Sequence, residues 1–175
     1  MKKVVKFGGS SLASAEQFMK VGAIIRADES RRYVVPSAPG KRFSDDTKVT
    51  DMLYHCYELA EQSKAFNKQL NQIKDRYNEI INGLKLDFSL DEDFEIIKKQ
   101  FVAKAGSMYA ASRGEYLNGK IMAKYLGYEF VDAANVIRFN KDGSFDSETT
   151  NELLATYLDK IERAVIPGFY GAMKN

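Results

Sequence analysis

The chain has 175 residues, 26 basic and 24 acidic, for a formal net charge of +2, and 45% of it is hydrophobic. That length suits one domain with a sizeable core, and the composition is ordinary for a globular protein. The charges are interspersed with no basic stripe, which argues against a nucleic-acid partner, and no apolar run is long enough to cross a membrane. Lys2-Lys3 precede only a short apolar segment, too short for a signal peptide. The single Cys56 cannot form an internal disulfide, and the cytoplasm is the expected compartment.

Lys2 to Phe7 reads as a short buried strand that runs into Lys6-Phe7-Gly8-Gly9-Ser10-Ser11. Glycines let the backbone approach a phosphate and turn several N–H groups toward it. Lysine adds a compact point charge. A helix that starts at once would aim its N-terminus at the same anion. The order differs from the P-loop, where the lysine follows the glycines. A Gly-Gly pair after a strand also suits a plain tight turn, so the run alone fits either a phosphate loop or a turn.

Ser14-Ala15-Glu16-Gln17 has the form of a capping box, and the helix behind it places Phe18, Val21, Gly22 and Ile25 on one face. Arg31-Arg32 lead into a second strand, Tyr33-Val34-Val35, which ends at Pro36-Ser37-Ala38-Pro39-Gly40. Strand, helix, strand over this length predicts a βαβ unit with parallel pairing and a right-handed crossover. Ligands of such sheets bind at the carboxyl ends of the strands. Here those ends are Lys6–Ser11 and Ser37–Gly40.

Lys41 to Lys48 is polar and reads as a mobile loop. A helix from about Thr50 to Gln62 is expected to bury Met52, Leu53, Cys56, Leu59 and Ala60. His55, the only histidine, falls off that stripe and reads as a surface residue; Cys56 reads as a small core residue. Phe66, Leu70, Ile73, Tyr77, Ile80 and Leu84 then step by four and three, which is a coiled-coil-like seam. Gly83 and Asp87-Phe88-Ser89 interrupt it, and Leu90, Phe94, Ile97 and Phe101 repeat it on a second helix. The pair predicts an antiparallel helical hairpin over about 63–105, an insertion beside the sheet with a structural or oligomeric role.

Ser107 to Leu126 is a further helix, with Met108, Ser112, Glu115, Gly119, Met122 and Leu126 along one face. Glu115 therefore sits in a small, partly apolar stripe and needs a partner, because burying an unpaired carboxylate is costly. A buried ion pair and a substrate-contacting carboxylate both meet that need. Tyr128 to Asp132 reads as a short strand and Asn140 to Ser144 as a turn. Glu148 to about Lys160 reads as a helix, with Leu153, Leu154, Tyr157, Leu158 and Ile161 apolar. Ala164-Val165-Ile166 is a last strand, stopped by Pro167-Gly168-Phe169-Tyr170-Gly171.

Four segments, in this order and spacing, resemble the N-terminal part of the catalytic domain of the aspartokinases, within the amino acid kinase superfamily. Lys6-Phe7-Gly8-Gly9-Ser10-Ser11 looks like the family's opening K-F-G-G-[ST]-S, and Val34-Val35-Pro36-Ser37-Ala38 like its V-V-x-S-A. Ser112-Arg113-Gly114-Glu115 is similar to the helix-borne G-E, and Pro167-Gly168-Phe169-Tyr170-Gly171 to the P-G-F-x-G turn. The hairpin resembles an insertion found in one subgroup. The resemblance covers essentially the whole chain.

The resemblance implies an α/β fold: a three-layer αβα sandwich with a mainly parallel sheet, present as a partial domain over 1–175 with the hairpin inserted. The implied reaction is the ATP-dependent phosphorylation of the L-aspartate side-chain carboxylate to 4-phospho-L-aspartate, with Mg²⁺. That is the first step toward lysine, threonine and methionine. Lys6 would be catalytic, neutralising charge on the transferring phosphoryl group. Lys6, Phe7, Gly8, Gly9 and Ser10 would form the nucleotide side, and Ser37, Thr50, Glu115 and Phe169 the aspartate side. Glu115 would meet the substrate's ammonium group. Thr50-Asp51-Met52-Leu53 looks like the family's T-[ND]-x-L, with Thr47 close by. The family continues past the P-G-F-x-G turn into an R-G-G-S-D segment, most of the adenine site and regulatory domains. The 175 residues contain none of these, so they are expected to be inactive alone. A homodimer or higher oligomer is implied for the complete enzyme. Two alternatives stand beside this reading: another kinase of the superfamily (for acetylglutamate, glutamate, carbamate or a nucleoside monophosphate) and a non-catalytic binding or regulatory module. The pairing of Ser10-Ser11 with Ser112-Arg113-Gly114-Glu115 favours aspartate.

Overall fold

The structure, a computed structural model, describes residues 1–173. The chain opens with β1 (Lys3–Phe7), a short 3-10 helix (Gly9–Leu12), α1 (Ala15–Arg26) and β2 (Arg31–Pro36). Four long helices follow: α2 (Val49–Glu61), α3 (Asn67–Gly83), α4 (Asp91–Val102) and α5 (Ser107–Leu126). Short pieces complete it: β3 (Glu129–Phe130), α6 (Ala133–Val136), β4 (Arg138–Phe139), α7 (Ser147–Asp159), β5 (Ala164–Val165) and β6 (Ala172–Met173).

β1, β2, β5 and β3 form a four-stranded sheet in that order, and every pair in it is parallel. β4 and β6 form a separate parallel pair. Successive side chains on a strand point to opposite faces, and the alternation divides the interior in two. Val34 and Val165 enter the large core with Val5, Phe7 and Phe130; Tyr33, Ala164 and Ile166 enter a smaller cluster with Val131, Val136 and Leu154. Helices α1 to α5 supply the large core. The second face is covered only in part, by α6 and α7, and Val4 on β1 stays exposed there.

The capping expectation for α1 is met: Ser14 is the N-cap, and its hydroxyl accepts from the Gln17 N–H. The buried face of α1 is Phe18, Val21, Gly22 and Ile25. All ten seam residues of the hairpin are buried, as their spacing requires. The hairpin is not an appendage beside the sheet, however. Its seam belongs to the same cluster as α1, α2 and α5, with Phe101 edge-on to Tyr57 at 5.4 Å. Two long apolar stripes cannot both be satisfied by each other alone, and α2 and α5 supply the remaining cover.

Other expectations change in detail. The strand read as Tyr128 to Asp132 is only two residues long, because the Asp132 carboxylate accepts from the Ala134 N–H and starts α6. Met108 is 68% exposed, since the first turn of α5 presents Tyr109 and Ala110, not Met108, to the core. The face of α7 is thinner than its leucines suggest: Leu153, Leu154 and Leu158 are half-buried, Tyr157 is exposed, and Thr150 is its one buried residue. Among the described residues no helix is long and apolar enough to cross a membrane.

Candidate functional site

The carboxyl ends of β1 and β2 meet. The Ser37 N–H donates to the Phe7 carbonyl (3.1 Å), and the Gly40 N–H donates to the Gly9 carbonyl (2.8 Å). The two loops touch so closely that neither glycine has room for a side chain. A Cβ on Gly9 would lie 2.9 Å from the Ala38 carbonyl oxygen, and one on Gly40 would lie 2.7 Å from the Gly9 carbonyl carbon. Such contact is open only to glycine.

Beside this junction lies a cavity of about 520 Å³, lined by Gly9, Ser10, Ser37, Lys48, Thr50 and Glu115 among others. Helix α5 delivers Glu115 because Gly114 lets it approach: a Cβ there would come within 2.8 Å of Ala38 Cβ. Helix α2 begins at Val49, whose N–H donates to the Pro39 carbonyl (3.1 Å), and this brings Lys48 and Thr50 to the rim.

Glu115 is only 8% exposed, and its Oε2 has no hydrogen-bond partner. Among the described residues no Lys, Arg or His pairs with it. Burial pushes its carboxyl pKa above the ordinary 4.5, against hydrogen bonds from its own backbone and that of Ala38. Of the two explanations the sequence leaves open, an internal ion pair is therefore excluded among the described residues. What remains is a desolvated carboxylate facing a polar cavity, which attracts a cation. The opposite charge is close at hand, since Lys41 and Lys48 line the same cavity.

The profile of the amino acid kinase family matches residues 1–175. The chain belongs to the amino acid kinase family. It is 33% identical to aspartokinase 3 of Bacillus subtilis (strain 168), over 99% of this chain and 41% of that protein. The crystal structure of the Clostridium acetobutylicum aspartate kinase superposes with a TM-score of 0.95 at 48% identity, over 99% of this chain and 40% of that one. E. coli aspartokinase III, solved in complex with aspartate and ADP, superposes at 0.79 and 22% identity, over 99% of this chain and 42% of that one, a likeness of fold. The chain thus spans about two fifths of the length of these relatives.

Within this amino acid kinase chain, Gly9, Ser10, Ser37, Thr50 and Glu115 converge on the one cavity. Thr50 lines that cavity, whereas Thr47 lines a different hollow, with Arg42, Asp46 and Glu79. Phe7 turns into the main core, and Gly8 is exposed at the start of the 3-10 helix. Lys6 is exposed and alternates with Phe7, so it shares the open sheet face with Val4. Phe169, 62% exposed with φ +76°, borders the apolar hollow on that face together with Val4 and Val35. Val35 is the register partner of Lys6. The nine residues therefore fall into a cavity group, a face group of Lys6 and Phe169, and the flanking Phe7 and Gly8.

Two contributors escape a sequence reading. Lys48 looks like any polar-loop lysine until α2 starts beside it. Asn118 is fully buried, and its Nδ2 donates to the Ser37 carbonyl (2.7 Å). Its position one helical turn beyond Glu115 was the available signal.

Proposed function

We propose that this chain forms the aspartate- and phosphate-binding part of an aspartate kinase, which phosphorylates the side-chain carboxylate of L-aspartate at the expense of ATP. The buried carboxylate of Glu115, paired with no cation among the described residues and opening onto Ser37 and Thr50, carries the reading. A substrate α-ammonium is the cation such a group lacks, and the two hydroxyls suit a substrate carboxylate. The relatives named aspartokinase, at 33% and 48% identity, support this choice of amino acid.

The chemistry needs no general base, because the attacking carboxylate is already ionised at neutral pH. The difficulty is to bring two anions together, so the catalytic demand is positioning and positive charge. The Gly9–Gly40 junction, bare of side chains, and the amines of Lys41 and Lys48 fit the phosphate end of a nucleotide. ATP, when bound, supplies the transferable phosphoryl group. Lys6 is assigned to neutralise charge on that group from the end of a rigid strand, with Gly8 and Ser10 along the phosphate path and Phe169 near the substrate. Mg²⁺ enters this reading with the nucleotide: among the described residues no cluster of His, Cys, Asp or Glu could hold a metal ion.

The test is calorimetric titration of the chain with L-aspartate, L-glutamate and N-acetyl-L-glutamate, beside Glu115→Gln. The reading expects L-aspartate to bind best and Glu115→Gln to weaken it about tenfold or more, the loss of one buried charge-assisted contact. Unchanged aspartate affinity in Glu115→Gln would remove the substrate role of that carboxylate.

A further inference from the structure

Arg76, on the hairpin helix α3, is only 4% exposed, yet it belongs to no seam of apolar side chains. Its guanidinium reaches out of the hairpin into the loop between β2 and α2. One terminal nitrogen donates to the Gly40 carbonyl (3.0 Å), and the other to the Thr47 carbonyl (3.1 Å) and to Asp46 Oδ2 (3.2 Å). Gly40 is the residue whose N–H holds Gly9, and Thr47 stands just before Lys48. One side chain thus grips both ends of the segment that forms the cavity's cationic wall. Asp46 is clamped from the other side by Arg42, whose guanidinium also reaches Glu79 on α3. The loop expected to be mobile is tied to the hairpin along its length.

The next residue makes the same kind of contact with α5. Tyr77 is fully buried, and its hydroxyl donates to the Gly114 carbonyl (2.8 Å), directly before Glu115. We propose that Arg76 and Tyr77 are positioning residues for the substrate cavity, Arg76 fixing the Gly40–Lys48 wall and Tyr77 fixing the turn that carries Glu115. The hairpin is then a jig for the site. The inference deepens the aspartate-kinase reading and rests on it for the identity of the ligand, while the fixing of the loop stands on its own contacts. A planar fork is required at Arg76, since one ammonium cannot span two carbonyls and a carboxylate in that geometry.

The test compares wild type, Arg76→Lys, Tyr77→Phe and the solvent-exposed hairpin control Lys68→Ala in this chain. Amide hydrogen exchange and L-aspartate titration are the readouts. Arg76→Lys is expected to lose about tenfold protection at the Gly40 and Val49 amides, with the β1–β2 ladder unchanged, and to bind L-aspartate about tenfold more weakly. Tyr77→Phe is expected to weaken aspartate binding several-fold and to raise exchange locally in the turn of α5 that carries Glu115, leaving Gly40 protected. Lys68→Ala should match wild type. Unchanged or uniformly altered exchange in Arg76→Lys overturns its assignment. Should Arg76→Lys not fold, Tyr77→Phe decides, and unchanged exchange in α5 overturns the proposal. Wild type that fails to bind L-aspartate sinks the substrate reading, while the exchange pattern still judges the positioning.

Discussion

Glu115 shows how a single residue can be read from sequence and yet wait for structure. Its place on an apolar stripe announces a buried carboxylate; nothing in the stripe says whether a cation is folded in beside it. The structure has none among the described residues, and the pKa is raised by burial. The sign of the stability effect follows. The folded state holds its proton more tightly than the unfolded chain, so the group costs stability as pH rises from 4.5 toward the raised value, and the cost persists at neutral pH. Glu115→Gln should therefore raise the melting temperature at pH 7 and change it little at pH 4, while weakening aspartate binding. Scanning calorimetry at the two pH values checks this. L-aspartate affinity should also fall as pH drops through the raised pKa, because a protonated carboxyl no longer attracts an ammonium; calorimetric titration over pH 5–8 reads that out. Gly40→Ala tests the junction: its Cβ would meet backbone at 2.7 Å, so nothing can rotate away. It should destabilise by about 1–3 kcal/mol in urea unfolding, the usual cost of overpacking.

The hairpin and the loop it grips give the lesson at the scale of elements. The four-three spacing of its apolar residues predicts two helices and their seam correctly, but periodicity says nothing about what the outer faces touch. Arg76 and Tyr77 sit beside each other in sequence and reach two different segments at one cavity, the β2–α2 loop and α5. Because the seam is continuous with the main core, the hairpin should not melt by itself. Ile73→Ala, at a fully buried position, is expected to cost about 2–5 kcal/mol. It should leave a single cooperative transition, seen at the same midpoint by far-UV circular dichroism and tyrosine fluorescence. A separate early transition would show the hairpin to be an independent unit. The loop itself should loosen in acid. Hydrogen bonds from Arg42 hold Asp46 below the ordinary 3.8, so its contribution is present above that value and is lost as pH falls through the lowered one.

Across the whole molecule the two sheet faces are unequal. One is buried under five helices; the other leaves Val4, Phe145 and Phe169 exposed around an apolar hollow of about 370 Å³. Contiguous apolar surface of this kind binds hydrophobic probes. The native chain at neutral pH should enhance anilinonaphthalene sulfonate fluorescence, and Val4→Lys should reduce that signal without lowering the melting temperature, since Val4 is already in water. An unchanged signal would place the probe elsewhere.

Sequence alone determined the parts that depend on local periodicity and on backbone chemistry. These are the parallel βαβ opening, the cap at Ser14, the hairpin seam, the α5 stripe with its carboxylate, and the glycine pair that permits close backbone approach. Each is written within a few residues, where a period of two or 3.6 or a missing Cβ has one physical meaning. Tertiary structure decided what distance along the chain conceals. It put Thr50 on the cavity and Thr47 on another hollow, added Lys48 to the cavity lining and Asn118 behind Ser37, and set Lys6 with Phe169 on the open face. It also left Glu115 without a cation among the described residues and joined Arg76 to Gly40. Those outcomes depend on which carbonyls and side chains meet once the strands are in register and the helices have packed, and no spacing rule along the sequence encodes them.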